Sequence, residues 1–345
     1  MIRGLIDRYR NWLGLPQNLT PVTIGEGDTA LVHWDDWGQS RIWLKLEGTN
    51  PTGSFKDRGM TVAVSMARYG GARAVICAST GNTAASAAAF AARAGLEASV
   101  VIPDGQVALP KMVQSAVHGA HLIGVQGNFD QALAAVRQAA ESEAWLTLVN
   151  SVNPWRIRGQ ETAAYEIVDD LGHPPVMLAL PVGNAGNISA YHQGFIRYGK
   201  QAPRFIGVQA KGADPLVQGR WLDEVNTVAS AIRIGRPASA DTARLAVEQT
   251  GGLFLSIDDG AILAAQQELA HGGVFVEPAS AAAYGGLKEL SRMEPLPEGD
   301  IVVILTGMGL KDTDTPQRWA NLTLTSSRAD AIVQTISQML NLSEA

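Results

Sequence analysis

Residues 45–60, KLEGTNPTGSFKDRGM, decide how the rest of the chain is read. They continue from RIWLKL at 41–46, which reads as a strand. Asn50-Pro51 and Thr52-Gly53 are turn chemistry, because proline fixes φ and glycine tolerates positive φ. Ser54 is the expected N-cap, and 55–68 has helix-compatible spacing. Lys56 therefore falls in the first helical turn, at the positive end of the helix dipole. That position disfavours an ammonium and favours the neutral amine, the form that condenses with an aldehyde. Read alone, FKDR is an ordinary surface tetrapeptide, since lysines are mostly exposed. The surrounding chain has to decide between the two.

Outward from this turn, short apolar runs alternate with helical segments, the sign of βαβ units and of parallel sheets buried on both faces. The runs are 74–77, 98–102, 121–125 and 146–149, separated by alanine-rich helical stretches at 83–94, 109–118 and 129–143. A second series follows at 176–181, 205–209, 254–257, 274–276 and 301–305. Before them lie an amphipathic helix carrying Ile2, Leu5, Ile6, Tyr9 and Leu13, then a turn at Gly25, Glu26, Gly27 and Thr29. Residues 214–241 have the weakest pattern and read as a long surface excursion. At the C-terminus, Ile332, Ile336 and Leu340 share a helical face suited to docking on the domain.

With 345 residues, 46% hydrophobic and 17% charged, the chain suits a globular protein with a large core. The net charge of −6, with no basic cluster, gives no sign of nucleic-acid binding. No run reaches the roughly 18 apolar residues of a membrane span. The opening MIRGLIDRYRNWLG carries charges within its apolar pattern and does not read as a signal peptide. The single cysteine, Cys77, excludes an internal disulfide framework and reads as a small core residue. His118, His121, His173, His192 and His271 show no metal-ligand spacing.

Ligands of open α/β sheets bind where strands hand over to helices. Four such junctions carry unusual residues. Ser79, Thr80, Gly81, Asn82 and Thr83 can cap a helix or offer backbone N–H groups to an anion. Gly183, Asn184, Ala185, Gly186 and Asn187 form either a plain turn or a nest of converging N–H groups. No Lys-Ser/Thr follows, as a nucleotide P-loop would require. Asn150, Ser151, Asn153, Pro154 and Arg156 make a capping segment, or a phosphate site with a bidentate arginine. Thr306, Gly307, Met308, Gly309, Leu310 and Lys311 lack the third glycine of a dinucleotide fingerprint, which disfavours a nicotinamide oxidoreductase.

NPTGSFKDRG at 50–59 resembles the cofactor-lysine motif of the threonine synthase family. These are pyridoxal-phosphate (PLP) enzymes of fold type II, the tryptophan synthase β-like group. The resemblance continues through STGNTA (79–84), NSVNPWRIRGQET (150–162), PVGNAGN (181–187) and TGMGLKD (306–312). The chain departs from the family pattern at Asp28, Ala30, Arg158 and Met308.

The resemblance implies an α/β fold of two doubly wound parallel-sheet domains with the cofactor in the interdomain cleft. Residues 56–150 would form the smaller domain, and 1–55 with 151–345 the larger, PLP-binding one. Lys56 would be the catalytic lysine, carrying PLP as a Schiff base. Asn82 would meet the cofactor's 3-hydroxyl, while Gly183, Asn184, Ala185, Gly186 and Asn187 hold its phosphate. Thr306 would face the pyridine nitrogen, and Glu277 would lie near the cofactor's edge. Ser79, Thr80 and Gly81, with Asn82, would take the substrate carboxylate. Asn150, Ser151 and Arg156 would take the substrate phosphate. The implied reaction turns O-phosphohomoserine and water into threonine and phosphate, in a cytoplasmic homodimer. The alternatives are a cysteate-synthase-like β-replacement on O-phosphoserine and a threonine or serine dehydratase.

Overall fold

The structure is a computed structural model that describes residues 4–104, 112–127, 129–320 and 323–340. The chain divides into two compact units, Met1–Asp312 and Thr313–Ala345. In the first, ten strands build two sheets: β1 (Leu31–Trp37), β2 (Ser40–Leu46), β3 (Ala74–Ala78), β4 (Glu97–Pro103), β5 (His121–Val125), β6 (Leu146–Leu148), β7 (Met177–Pro181), β8 (Arg204–Ala210), β9 (Leu253–Ile257) and β10 (Gly299–Leu305). One sheet has the order β1-β2-β10-β7-β8-β9, the other β5-β4-β3-β6. Every pairing is parallel except β1 with β2.

Why the sheets are continuous apolar runs is visible in the core. In β3, Val75 and Cys77 pack into one buried cluster with Met60, Val64 and Phe90. The alternate residues Ile76 and Ala78 pack into another with Val101, Ala132 and Val136. In the larger sheet Leu178, Val302 and Ile304 face one cluster, while Met177, Ile301 and Val303 face the other. Period-two alternation therefore places apolar side chains on both faces, each full burial contributing about 1.5–3 kcal/mol. The alanine-rich helix Asn82–Ala94 lies close on its sheet because its side chains are small, and it stops at Gly95 in the left-handed region.

Several expectations change. β1 was not expected; LVHWDDW is an edge strand whose side chains are half-buried or exposed, with a register shift between His33 and Asp35. Residues 274–276 form no strand, only an isolated bridge from Val276 to Met308. The loose stretch 214–241 is not merely a surface excursion, because Thr227, Ala229 and Ile232 are buried and the latter two join the main core. Of the helix expected at 109–118, residues 109–111 lie outside the described residues and Val113–Val117 is helical. Ile2 also lies outside them, while Leu5, Ile6, Tyr9 and Leu13 are buried as the periodicity requires.

The second unit contains the helix Ile332–Met339; residues 341–345 lie outside the described residues. Ile332, Ile336 and Leu340, the residues expected to share an apolar face, all belong to this second unit.

Candidate active site

All four unusual junctions meet at one cavity of about 460 Å³, a size that accepts a small cofactor and substrate. Lys56, Ser79, Thr80, Gly81, Asn82, Asn150, Ser151, Gly183, Asn184, Ala185, Gly186, Asn187 and Thr306 all line it. Arg156 does not.

Lys56 is the first residue of the helix Lys56–Tyr69, and its position is fixed by the turn before it. Phe55 N–H donates to the Thr306 carbonyl (3.0 Å) and Met308 N–H to the Gly53 carbonyl (3.0 Å), tying this turn to the end of β10. Thr52 donates to the Asp57 carboxylate from both its backbone N–H (2.7 Å) and its hydroxyl (2.6 Å). Asp57 thus closes the turn from inside the helix. Ser54 does not act as the expected cap, and its Oγ is buried without a hydrogen-bond partner. At Gly53, in the left-handed region at φ 87°, a Cβ would come within 2.7 Å of Met308 Sδ. Met308 therefore backs the lysine turn.

Burial is the main force on the Lys56 amine, lowering its pKa to about 7; the Arg156 charge lowers it further and Glu277 opposes both. Arg156 is fully buried, donates from Nη1 to the Val149 carbonyl (2.7 Å), and has an Nε without a partner. Desolvation brings even this guanidinium down to about 10. Its helix crosses the Lys56 helix through two glycines. A Cβ on Gly59 would sit 2.5 Å from the Arg156 carbonyl, and one on Gly159 would run into the Arg58 carbonyl.

The opposite wall is a nest. Ala185 is held at φ 63°, an unusual value for a residue with a side chain, and it opens the helix Gly186–Arg197. The first-turn N–H groups of a helix have no intrahelical partners. Here those of Gly186, Asn187 and Ile188 belong to residues that line the cavity. Asn187 Nδ2 is a buried donor with no partner. A Cβ on Gly183 would lie 2.9 Å from Ile232 Cα, so only glycine fits between nest and neighbouring loop. Free donors for an anion, an uncharged amine and the Thr306 hydroxyl fit pyridoxal phosphate.

Two expected ligands are occupied within the protein. Asn150 accepts from the Ala78 N–H (2.9 Å) and donates to the Ala78 carbonyl (2.9 Å), so its amide clamps β3 to the end of β6. Asn82 donates to both oxygens of Glu277 (3.1 and 3.2 Å). Burial raises the Glu277 pKa against the pull of Asn82, Lys311 and Lys56. Residues to which the sequence assigned no ligand role also line the cavity: Gln114, Gln160, Lys311 and the stretch 230–234. Lys311 bonds Gln114 Oε1, and Gln114 donates onward to the Thr52 carbonyl (3.1 Å). Lys311 and Gln160, both inside recognised motifs, carried a sequence signal, whereas Gln114 and 230–234 did not.

Behind the lysine helix lies a buried ion cluster. Arg58 donates to Glu47 (2.7 Å to each oxygen) and to Glu166 (2.8 and 2.6 Å). Lys45 also pairs with Glu166 (3.1 Å). Burial alone would raise the Glu166 pKa, but Arg58 and Lys45 hold it down at about 2.

Residues 22–307 match the family described as pyridoxal-phosphate dependent enzyme. The chain is 51% identical over 324 residues to the threonine synthase of a Synechocystis species, covering 90% of this chain and 84% of that protein. It belongs to the threonine synthase family of pyridoxal-phosphate dependent enzymes. Identity to the Mycobacterium tuberculosis threonine synthase is likewise 51%, over 90% of this chain and 89% of that one. Among solved structures, threonine deaminase isoform 2 of Solanum lycopersicum superposes with a TM-score of 0.74 at 21% identity, covering 91% and 92% of the two chains. Cysteine synthase of Entamoeba histolytica gives 0.74 at 21%, covering 96% and 98%. These likenesses show fold type II. No helix among the described residues is long and apolar enough to cross a membrane.

Proposed function

We propose that the chain converts O-phospho-L-homoserine and water to L-threonine and inorganic phosphate. The supporting observation is that Lys56, with an amine near pKa 7, faces the same cavity as the nest, the Ser79 turn and Thr306. Lys56, Asn82, Gly183, Asn184, Ala185, Gly186, Asn187 and Thr306 would hold pyridoxal phosphate, which when bound supplies an electron sink for charge developing on substrate carbons. Ser79, Thr80 and Gly81 precede a helix with no side-chain cap, and its free N–H groups suit the substrate carboxylate.

Lys56 takes protons from Cα and Cβ in turn and returns one to Cα, a role that needs a pKa close to working pH. The carbon–oxygen bond to phosphate breaks at Cγ; water then delivers hydroxyl to Cβ and a proton to Cγ. Ser151 is an uncommitted hydroxyl on the phosphate side. Arg156, buried with an unpartnered Nε, helps to keep Lys56 neutral and would take the substrate phosphate together with Asn150 and Ser151. The reading extends to 56–150 as the smaller domain and to a cytoplasmic homodimer, which light scattering would test.

The deciding test is a visible spectrum of purified protein beside Lys56→Ala, followed by O-phosphohomoserine with phosphate and threonine assays. Lysine-dependent cofactor absorbance with equal release of both products is expected. Absorbance without release would refute the reaction and direct the same assay to O-phosphoserine.

A further inference from the structure

Glu277 lines the cavity as a buried carboxylate that the proposed chemistry does not use. It stands at the N-cap of the helix Pro278–Met293, yet its side chain makes no capping bond, and the proline after it has no N–H to offer. The helix therefore does not account for the carboxylate. Its bonded partner is the neutral amide of Asn82, while the charges of Lys56 and Lys311 act on it from further off. A buried carboxylate held only by an amide is costly. Titratable groups kept in a cavity at such a cost cluster at functional sites.

The place of Glu277 is fixed from behind. Its N–H donates to the Gly307 carbonyl (3.1 Å), and a Cβ on Gly307 would come within 2.5 Å of its Oε1, so the carboxylate lies against that glycine. Ser280 accepts from the Gly307 N–H (2.8 Å), and its hydroxyl stands 3.1 Å from that of Thr306. Glu277 and Thr306 thus share one frame at the end of β10. Asn82 comes from elsewhere: it opens the helix that follows β3, in the other sheet. Its Nδ2 donates to both oxygens of Glu277 (3.1 and 3.2 Å), and no other described residue bonds its side chain. Without the carboxylate, the Asn82 amide would be left to sample its rotamers.

We infer that Glu277 is a positioning residue for the cofactor: it holds the Asn82 amide at a fixed place relative to Thr306, so that the 3-hydroxyl and the ring nitrogen of pyridoxal phosphate are gripped from one frame. This rests on the cofactor site of the proposed function and not on the identity of the substrate. The carboxylate sets orientation as well as place. An ionised carboxylate only accepts, so it excludes the flipped amide, whose oxygen would need a donor. A glutamine at 277 both donates and accepts, and it pairs with either orientation of Asn82.

The test is a double-mutant cycle on the full chain: wild type, Asn82→Ala, Glu277→Gln and the two together. Each is titrated with pyridoxal phosphate, the visible band of the bound cofactor is recorded, and the melting temperature of the unloaded chain controls for folding. Asn82→Ala and Glu277→Gln should each weaken cofactor binding about three- to tenfold, the loss of one hydrogen bond, and shift the band in the same direction. Added to Asn82→Ala, Glu277→Gln should change the affinity by less than about twofold, because its effect passes through the amide. Full additivity overturns the inference, since Glu277 would then act on the cofactor or the fold by itself. An unchanged affinity and band in Glu277→Gln, beside a weakened Asn82→Ala, also overturns it and leaves the cofactor site standing. If Asn82→Ala changes neither, the cofactor role of Asn82 fails first and the inference falls with it. Should Glu277→Gln not fold, Glu277→Asp, which draws the carboxylate back by one carbon, takes its place in the cycle with the same expectations.

Discussion

Replacing Arg58 by methionine removes the central cation of the buried cluster with little change in volume. Its guanidinium is enclosed between Glu47 and Glu166, with further bonds to Thr29 (2.9 Å) and Thr162 (3.3 Å). In its absence Lys45 is the single buried cation left to balance two buried carboxylates. Removing one partner of a buried ion pair costs about 3–5 kcal/mol, mostly as uncompensated charge. A second route gives a similar size: the fall of the Glu166 pKa from 4.5 to about 2 corresponds to roughly 3 kcal/mol of stability at neutral pH. Because the folded-state value is depressed, this contribution is complete above pH 4.5 and is lost as the pH falls towards 2. In Arg58→Met the Glu166 pKa rises instead, so the difference from wild type should be greatest at pH 7 and should shrink in acid. Denaturant unfolding of the two proteins between pH 7 and pH 4 measures both. A loss below about 1 kcal/mol at pH 7, or a gap that widens in acid, would refute the reasoning.

Gly159→Ala should destabilise the fold despite better helix propensity: overpacking against the Arg58 carbonyl costs about 1–3 kcal/mol or more, against a gain of 0.5–1. A raised melting temperature would contradict it. Gly183→Ala should push residues 231–232 away and weaken pyridoxal phosphate binding by about tenfold, read from cofactor titration with the melting temperature as control. Capture of added pyridoxal phosphate by the unloaded chain should rise with pH through a midpoint of about 7, following the neutral fraction of Lys56. Arg156→Gln should move that midpoint upward, since it removes a charge that disfavours the ammonium. Cys77, with its thiol pushed up to about 12 by burial, should resist alkylation until the protein is unfolded.

The parallel strands were legible because burial on two faces writes itself as uninterrupted apolar sequence: AVICA in β3 and MLALP in β7 are buried at every position. β1 was not, because an edge strand with His33, Asp35 and Asp36 has no such run. The turn chemistry identified Lys56 but misread its support, since Ser54 has the residue type of a cap while Asp57 does the bonding. Residue type likewise singled out Arg156, and only packing revealed that its helix is pressed against Gly59 and that its guanidinium is held by the Val149 carbonyl. Residues 230–234 were illegible because their place in the cavity depends on contacts with Gly183, far away in sequence.

The polar character that hid β1 also protects the molecule. A parallel sheet ends in a row of unsatisfied backbone groups that can recruit strands from other molecules. Here β2, which carries the chain towards the lysine turn, is shielded on that side by an antiparallel strand bearing two adjacent acids and an irregular register. Inward of it, the strands that deliver Thr306 and the phosphate nest can be as apolar as burial demands, because none of them forms that rim. A hairpin with no part in the chemistry thus supplies the rim of an otherwise apolar sheet.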